Sequence, residues 1–136
     1  IPDYPEAGII FRDITPLLAD AEALQATTDA IIAPFAGQFD VVAGIEARGF
    51  ILAGAAAIAA GVGLIPIRKA GRLPAACRRE RYTLEYGTDV LEAHEDACGG
   101  AAGNARVLVV DDVLATGGTA SAACRLIEGV GGEVVA

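Results

Sequence analysis

Residues 107–110 (VLVV) form an apolar run with no polar alternation, and the run ends in two adjacent carboxylates, Asp111 and Asp112. A strand wetted on one side alternates apolar and polar residues. An unbroken β-branched run therefore demands cover on both faces. DVVAGI (40–45) and GLIPI (63–67) are written the same way, and GGEVVA (131–136) starts a further strand. Helical stretches separate them: 21–33, stopped by Pro34; an alanine-rich segment over 49–60, closed by Gly61; and 119–130 after the carboxylates. Strands alternating with helices predict an α/β domain, a parallel sheet flanked by helices.

The remaining stretches are less regular. Residues 8–18 (GIIFRDITPLL) open with a short apolar segment and then a helix start, where the Thr15 hydroxyl is suited to capping and Pro16 to the first turn. TLEYG (83–87) and VLEAHE (90–95) alternate like short strands, and CGGAAGNA (98–105) reads as a flexible turn. Residues 68–86 have Gly71, Pro74 and no apolar periodicity, which predicts a long loop. The chain stops within an apparent strand at Ala136, so more chain is expected to follow in the natural protein.

At 136 residues the chain is one domain's worth. It lacks Trp and Met and is rich in alanine, so its core is expected to use Val, Ile and Leu with closely approaching elements. No apolar run reaches the roughly 20 residues that span a bilayer, and Ile1 opens no signal-peptide pattern. Cys77, Cys98 and Cys124 are an odd, widely spaced set, which argues against a disulfide framework or zinc site and for reduced thiols in a cytoplasmic protein. His94, the single histidine, lies on a polar alternate position and is expected to be solvated.

A net charge of −8 argues against nucleic acid as partner. The distribution says more. Arg68, Lys69, Arg72, Arg78, Arg79 and Arg81 crowd into residues 66–82 with one anion, Glu80. That window is either a solvated basic loop or the attractor of a small polyanion. In parallel α/β sheets ligands bind beyond the carboxyl ends of the strands, which points to residues 46–49, 68–86 and 111–119.

In the last of these, Thr116, Gly117, Gly118 and Thr119 lie between strand and helix. Glycines let backbone N–H groups turn toward a ligand, the hydroxyls add donors, and the helix start favours negative charge. The loop is neither a P-loop nor a G-x-G-x-x-G turn, and without a lysine it suits a monophosphate. Asp111 and Asp112 would repel that phosphate unless they hold something else one sugar length away. Ionised carboxylates only accept hydrogen bonds, and a diol is their natural partner. A ribose 5-phosphate satisfies both halves, and a helix-capping turn with an acidic shoulder is the plainer alternative.

VLVVDDVLATGGTA (107–120) resembles the phosphoribosyl-pyrophosphate signature of the type I phosphoribosyltransferase family, in the form found in its adenine-specific members. IPDYPEAGIIFRDITPLL (1–18) is similar to that family's hood over the base, and VVAGIEARGF (41–50) to its pyrophosphate loop. IPIRKAGRLP (65–74) and YTLEYG (82–87) resemble the flanks of its mobile catalytic loop. The resemblance implies a type I phosphoribosyltransferase-like fold with a small N-terminal hood, and transfer of phosphoribose to adenine, giving AMP and pyrophosphate.

It further implies that Asp111 and Asp112 hold the ribose hydroxyls, and that Ala115, Thr116, Gly117, Gly118 and Thr119 hold the 5-phosphate. Arg48 would meet pyrophosphate, with Arg68, Lys69 and Arg72 nearby. Backbone groups of Ile10 and Arg12 would read the adenine edge, with Phe11 stacking. Glu85 and Tyr86 would arrive with the closing loop, Glu85 handling a proton. Mg²⁺ is implied as cofactor, held by ligand oxygens and water, and a homodimer as the assembly. Arg72 stands where the family usually has Lys, LPAAC lacks a common glycine, and the family's N-terminal helix and C-terminal strands are missing from the 136 residues. Two rival readings stay open: another base such as hypoxanthine or guanine, or a non-catalytic sugar-phosphate sensor.

Overall fold

In chain order the elements are α1 (Thr15–Ala19), α2 (Ala21–Ile32), β1 (Val41–Ile45), α3 (Arg48–Ala60), β2 (Gly63–Lys69), β3 (Cys77–Leu84), β4 (Gly87–His94), β5 (Arg106–Val110), α4 (Gly118–Gly129) and β6 (Glu133–Val134). The computed structural model describes residues 1–84, 87–99 and 103–136. The apolar runs pair as expected. β2, β1, β5 and β6 lie side by side and parallel.

Both faces of these strands are covered, which is why their sequences do not alternate. Val42, Leu108 and Val110 pack against Leu52, Ala53, Ala56 and Ala57 of α3. Ala43, Ile45 and Val107 pack on the other side against Ala122, Ala123, Leu126 and Ile127 of α4. Leu126 and Ile127 are fully buried, and such burial stabilises by roughly 1.5–3 kcal/mol per side chain. Alanines on α3 let it lie close to the sheet. At its first turn the approach leaves no room for a side chain: a Cβ on Gly49 would sit 2.9 Å from Asp111 Oδ1 and 3.1 Å from the Val110 carbonyl oxygen.

Two expectations are corrected. The basic window is not one long loop. Cys77–Leu84 forms strand β3, antiparallel to β4 from Cys77↔His94 to Leu84↔Gly87, and β4 joins β2 through Arg68↔Glu92 and Lys69↔Leu91. Cations on the exposed side hide the period-two pattern there. Glu80 and Tyr82 meet α4: Glu80 Oε1 accepts from Arg125 Nε at 2.9 Å, and Tyr82 is buried in the α4 core. The sheet is thus parallel through its middle and antiparallel at one edge.

Thr15, secondly, does not cap α1. Ile14 occupies the cap position, and Asp13 accepts from the Thr15 N–H at 3.0 Å and from its hydroxyl at 2.9 Å. Thr15 is the first residue of the helix rather than its cap, and its hydroxyl donates back to Asp13 instead of accepting from the N–H groups of the first turn. Elsewhere α2 stops at Ile32 and Pro34 falls in a 3-10 turn, Ala33–Phe35. His94 ends β4 half-buried, and all three cysteines are free. No helix among the described residues is long and apolar enough to cross a membrane.

Candidate active site

Glu46 follows β1, Lys69 ends β2, and Asp111 follows β5, so three neighbouring strands deliver charged groups to one end of the sheet. Between them lies a cleft of about 270 Å³, whose walls include Glu46, Arg48, Lys69, Tyr82, Asp89, Asp111, Asp112 and Thr119. A second hollow of about 140 Å³ lies over Ala115, Thr116, Gly117, Gly118 and Thr119. Leu84, Asp111, Val113 and Thr119 border both. The acidic pair thus lines one hollow and the glycine turn the next.

The cradle is built by the strand-to-helix turn. Gly117 caps α4 at φ +84°, a conformation that L side chains rarely adopt, and α4 begins at Gly118 with its N-terminus on the hollow. Thr116 and Thr119 flank the two glycines with hydroxyls.

The acidic pair is split by its surroundings. Asp112 is nearly covered, and its Oδ2 lies 2.8 Å from Arg48 Nε. Asp111 accepts the Asp112 N–H at 2.9 Å. Burial pushes the Asp111 carboxyl up to about 6; the Asp112 N–H opposes this, while the Asp112 side chain and its charge add to it.

Arg48, at the start of α3, also connects the site to the N-terminal segment. Its guanidinium lies 5.3 Å over the Phe11 ring, a cation–π contact, and Tyr4 meets the same ring edge-on at 5.2 Å. Phe11 pairs through its N–H and carbonyl with Ile1. Ile10 and Arg12 on either side have no backbone hydrogen-bond partner among the described residues, and both are exposed.

The cations after β2 are not loose. Glu46 accepts from the Lys69 N–H, and its carboxylate lies 3.6 Å from both Arg68 Nε and Arg72 Nη1. Lys69 Nζ reaches Asp89 at 3.2 Å, and the Tyr82 hydroxyl donates to Asp89 at 3.4 Å. The Val90 N–H and then Lys69 hold Asp89 below the usual carboxylate range against its burial. Burial and Asp89 together push the Tyr82 hydroxyl up. Three arginines of this segment are thus held by carboxylates rather than left to repel one another. Arg68 and Arg72 face Glu46, and Arg79 faces Glu92 at 3.2 Å.

Arg48, Lys69, Asp111, Asp112 and Thr119 share the cleft, Arg68 and Arg72 stand behind Glu46, and Phe11 joins through Arg48. Glu85 and Tyr86 lie outside the described residues. Glu46, Tyr82, Asp89 and Glu92 were missed as site residues. For Glu92 the sequence carried no signal: between Leu91 and Ala93 in an alternating strand it falls on the polar side, yet β4 is buried on both faces there. Among the described residues no three His, Cys, Asp or Glu side chains are grouped to hold a metal ion.

Residues 13–136 match the phosphoribosyl transferase domain family. The adenine phosphoribosyltransferase of Renibacterium salmoninarum is 58% identical over 134 residues, covering 98% of this chain and 72% of that protein. The protein of the same name from Thermobifida fusca is 54% identical over 136 residues, with coverage of 99% and 76%. Among solved structures, adenine phosphoribosyltransferase from Rhodothermus marinus superposes with a TM-score of 0.90 at 51% identity, covering 99% of this chain and 76% of that one. The Saccharomyces cerevisiae enzyme, solved with an imino-altritol bisphosphate and adenine, gives 0.89 at 36% identity, over 98% and 77%. With a family match over most of its length, and relatives this similar along most of theirs, the chain belongs to the adenine phosphoribosyltransferase family of phosphoribosyl transferase domains.

Proposed function

We propose that the chain transfers the 5-phosphoribosyl group of phosphoribosyl pyrophosphate to adenine, releasing pyrophosphate and forming AMP. The observation that carries the site assignment is the junction at Thr119, where the carboxylate cleft and the phosphate hollow meet. Asp111 and Asp112 accept from the ribose hydroxyls. The N–H groups and hydroxyls of residues 115–119 receive the 5-phosphate. Arg48 and Lys69, with Arg68 and Arg72 behind Glu46, face the pyrophosphate.

A ring nitrogen of adenine forms the bond to the anomeric carbon as the bond to the pyrophosphate oxygen breaks, its electron pair leaving with that oxygen. Fixed cations stabilise the charge that develops there. The nitrogen's proton passes to a base, the role the family resemblance implies for Glu85. Ile10 and Arg12, with free backbone donors and acceptors, offer an edge to the base, and Phe11 an aromatic face.

The donor set fits magnesium bound mostly by substrate. Glu46, Asp89 and Asp112 are already paired with cations, which leaves Asp111 to reach the ion through water. Bound there, Mg²⁺ would supply counter-charge for pyrophosphate. Closure of a lid over the sugar pyrophosphate, expected of residues 70–86, stays part of this reading for residues 70–76, which lie between β2 and β3. Free thiols at Cys77, Cys98 and Cys124 support a cytoplasmic setting. Exposed Ile51 and Ile58 on α3 support a homodimer.

Neither rival reading finds support in relatives of this similarity. The test is base-dependent pyrophosphate release by the full-length protein with adenine, hypoxanthine and guanine. A site that pairs the exocyclic amine rejects a base carrying oxygen there. Adenine is expected to be the preferred base, and equal turnover of hypoxanthine would overturn the assignment.

A further inference from the structure

We infer that Glu92, which touches no substrate, is a positioning residue whose carboxylate latches the backbone of Arg72 and Leu73 to the sheet and so sets Arg72 against Glu46, beside the cleft. Glu92 is the buried charge of the core, 1% exposed in the middle of β4. Its cross-strand neighbours are Arg79 on β3 and Arg68 on β2, so the carboxylate lies between two cationic strand positions.

Its hydrogen bonds, however, go mainly to the loop. Oε1 accepts the Arg72 N–H at 2.9 Å and the Leu73 N–H at 2.8 Å, while Oε2 takes Arg79 Nε at 3.2 Å. Arg79 is 62% exposed, so water screens much of its charge, and the two backbone donors are what compensate the buried one. Burial would raise this carboxyl, yet the N–H groups of residues 71–73 and Arg79 hold it at about 2.

The loop has little else to hold it. Residues 70–76 are exposed apart from half-buried Leu73, so no apolar side chain anchors them firmly. Ala70 bonds to Val90 at one end and Ala76 to Glu95 at the other. Between these ends the loop meets the sheet through Glu92 and through a long bond from Arg68 Nη1 to the Arg72 carbonyl. The geometry puts the Arg72 guanidinium 3.6 Å from Glu46, beside Arg68. Without the latch the Arg72 Cα is free to move, and a misplacement of about 1 Å in a positioned group costs on the order of a hundredfold in rate.

This inference rests on the phosphoribosyl-transfer reading, and the experiment separates the two. In the full-length protein, Glu92→Gln, Arg72→Ala and the double variant are assayed for kcat/KM toward phosphoribosyl pyrophosphate. Glu92→Gln should lower it about ten- to a hundredfold, the worth of hydrogen bonds to a charged group, with KM for adenine unchanged. In the double variant the loss should be little more than that of Arg72→Ala alone, because Glu92 acts through Arg72.

Losses that multiply would make Glu92 structural only and overturn the inference. Should Glu92→Gln fail to fold, Glu92→Met with Arg79→Leu takes its place in the same cycle, since apolar replacement of both partners leaves no stranded charge. Hydrogen exchange on the unaltered protein is the second arm. The Arg72 and Leu73 amides should be protected relative to Ala75 and Ala76, and equal exchange would refute the latch. A wild-type protein inactive toward adenine would instead count against the reaction while leaving the exchange result intact.

Discussion

Asp111 and Asp112 are adjacent in the chain, yet one is charge-paired and the other crowded. Asp112 has the Arg48 guanidinium at 2.8 Å, whereas burial lifts Asp111 from the ordinary 3.8 to about 6. A carboxyl whose folded pKa lies above its unfolded one favours folding while protonated, and that contribution fades as pH rises through the folded value. Between about pH 4 and 6 the native protein therefore loses stability through Asp111, and near neutrality it carries an ionised, half-buried carboxylate. Asp111→Asn is expected to raise the melting temperature at about pH 7, with the gain shrinking toward pH 4, while affinity for phosphoribosyl pyrophosphate falls. Thermal melts at both pH values and calorimetry check this. A variant that melts lower at neutral pH would mean that the carboxylate is needed by the fold.

At the scale of elements, the start of α3 meets the end of β5, which brings Arg48 against the acidic pair. Gly49 makes the approach possible, since any Cβ there would press on Asp111 Oδ1 and the Val110 carbonyl. Gly49→Ala is expected to push the start of α3 outward, costing about 1–3 kcal/mol of stability and carrying Arg48 off Asp112. Denaturation with ligand titration reads both effects; unchanged stability and affinity would show that the helix start can shift without consequence. The strands of the parallel centre were legible in the sequence because burial on both faces leaves apolar runs. So was the place of the candidate site in the fold, because GIEARGF and DDVLATGGT sit at strand ends. β3 was not legible, since its arginines point to water and to Glu92 and mask its pairing with β4. The ion pairs of Glu46 and Asp89 were also hidden. Glu46–Arg72 joins residues far apart in the chain, and Lys69–Asp89 depends on how β4 lies against β2.

For the whole molecule, a chain of net charge −8 places six of its ten lysines and arginines between Arg68 and Arg81, toward the antiparallel edge of the sheet and beside the cleft. No single element owns that cleft. β1 contributes Glu46, β2 Lys69, β4 Asp89, the turn after β5 the acidic pair, and α4 Thr119. A ligand that spans the cleft and the cradle must therefore tie the middle of the sheet to α4 and to the β3–β4 hairpin. Whatever binds only the native state stabilises it by mass action, by about 2.7 kcal/mol at a hundredfold excess over Kd. Phosphoribosyl pyrophosphate with Mg²⁺ is expected to raise the melting temperature by several degrees, and to lose part of that effect at high salt, which screens the exposed cations that receive it. Adenine alone is neutral and has only the hood segment and the Phe11 ring to hold it, so its shift should be small. Thermal melts of the full-length protein in each ligand, at low and high salt, decide the matter. A larger, salt-insensitive shift from adenine would mean that the base site forms first and that the charged cleft is not what binds the first substrate.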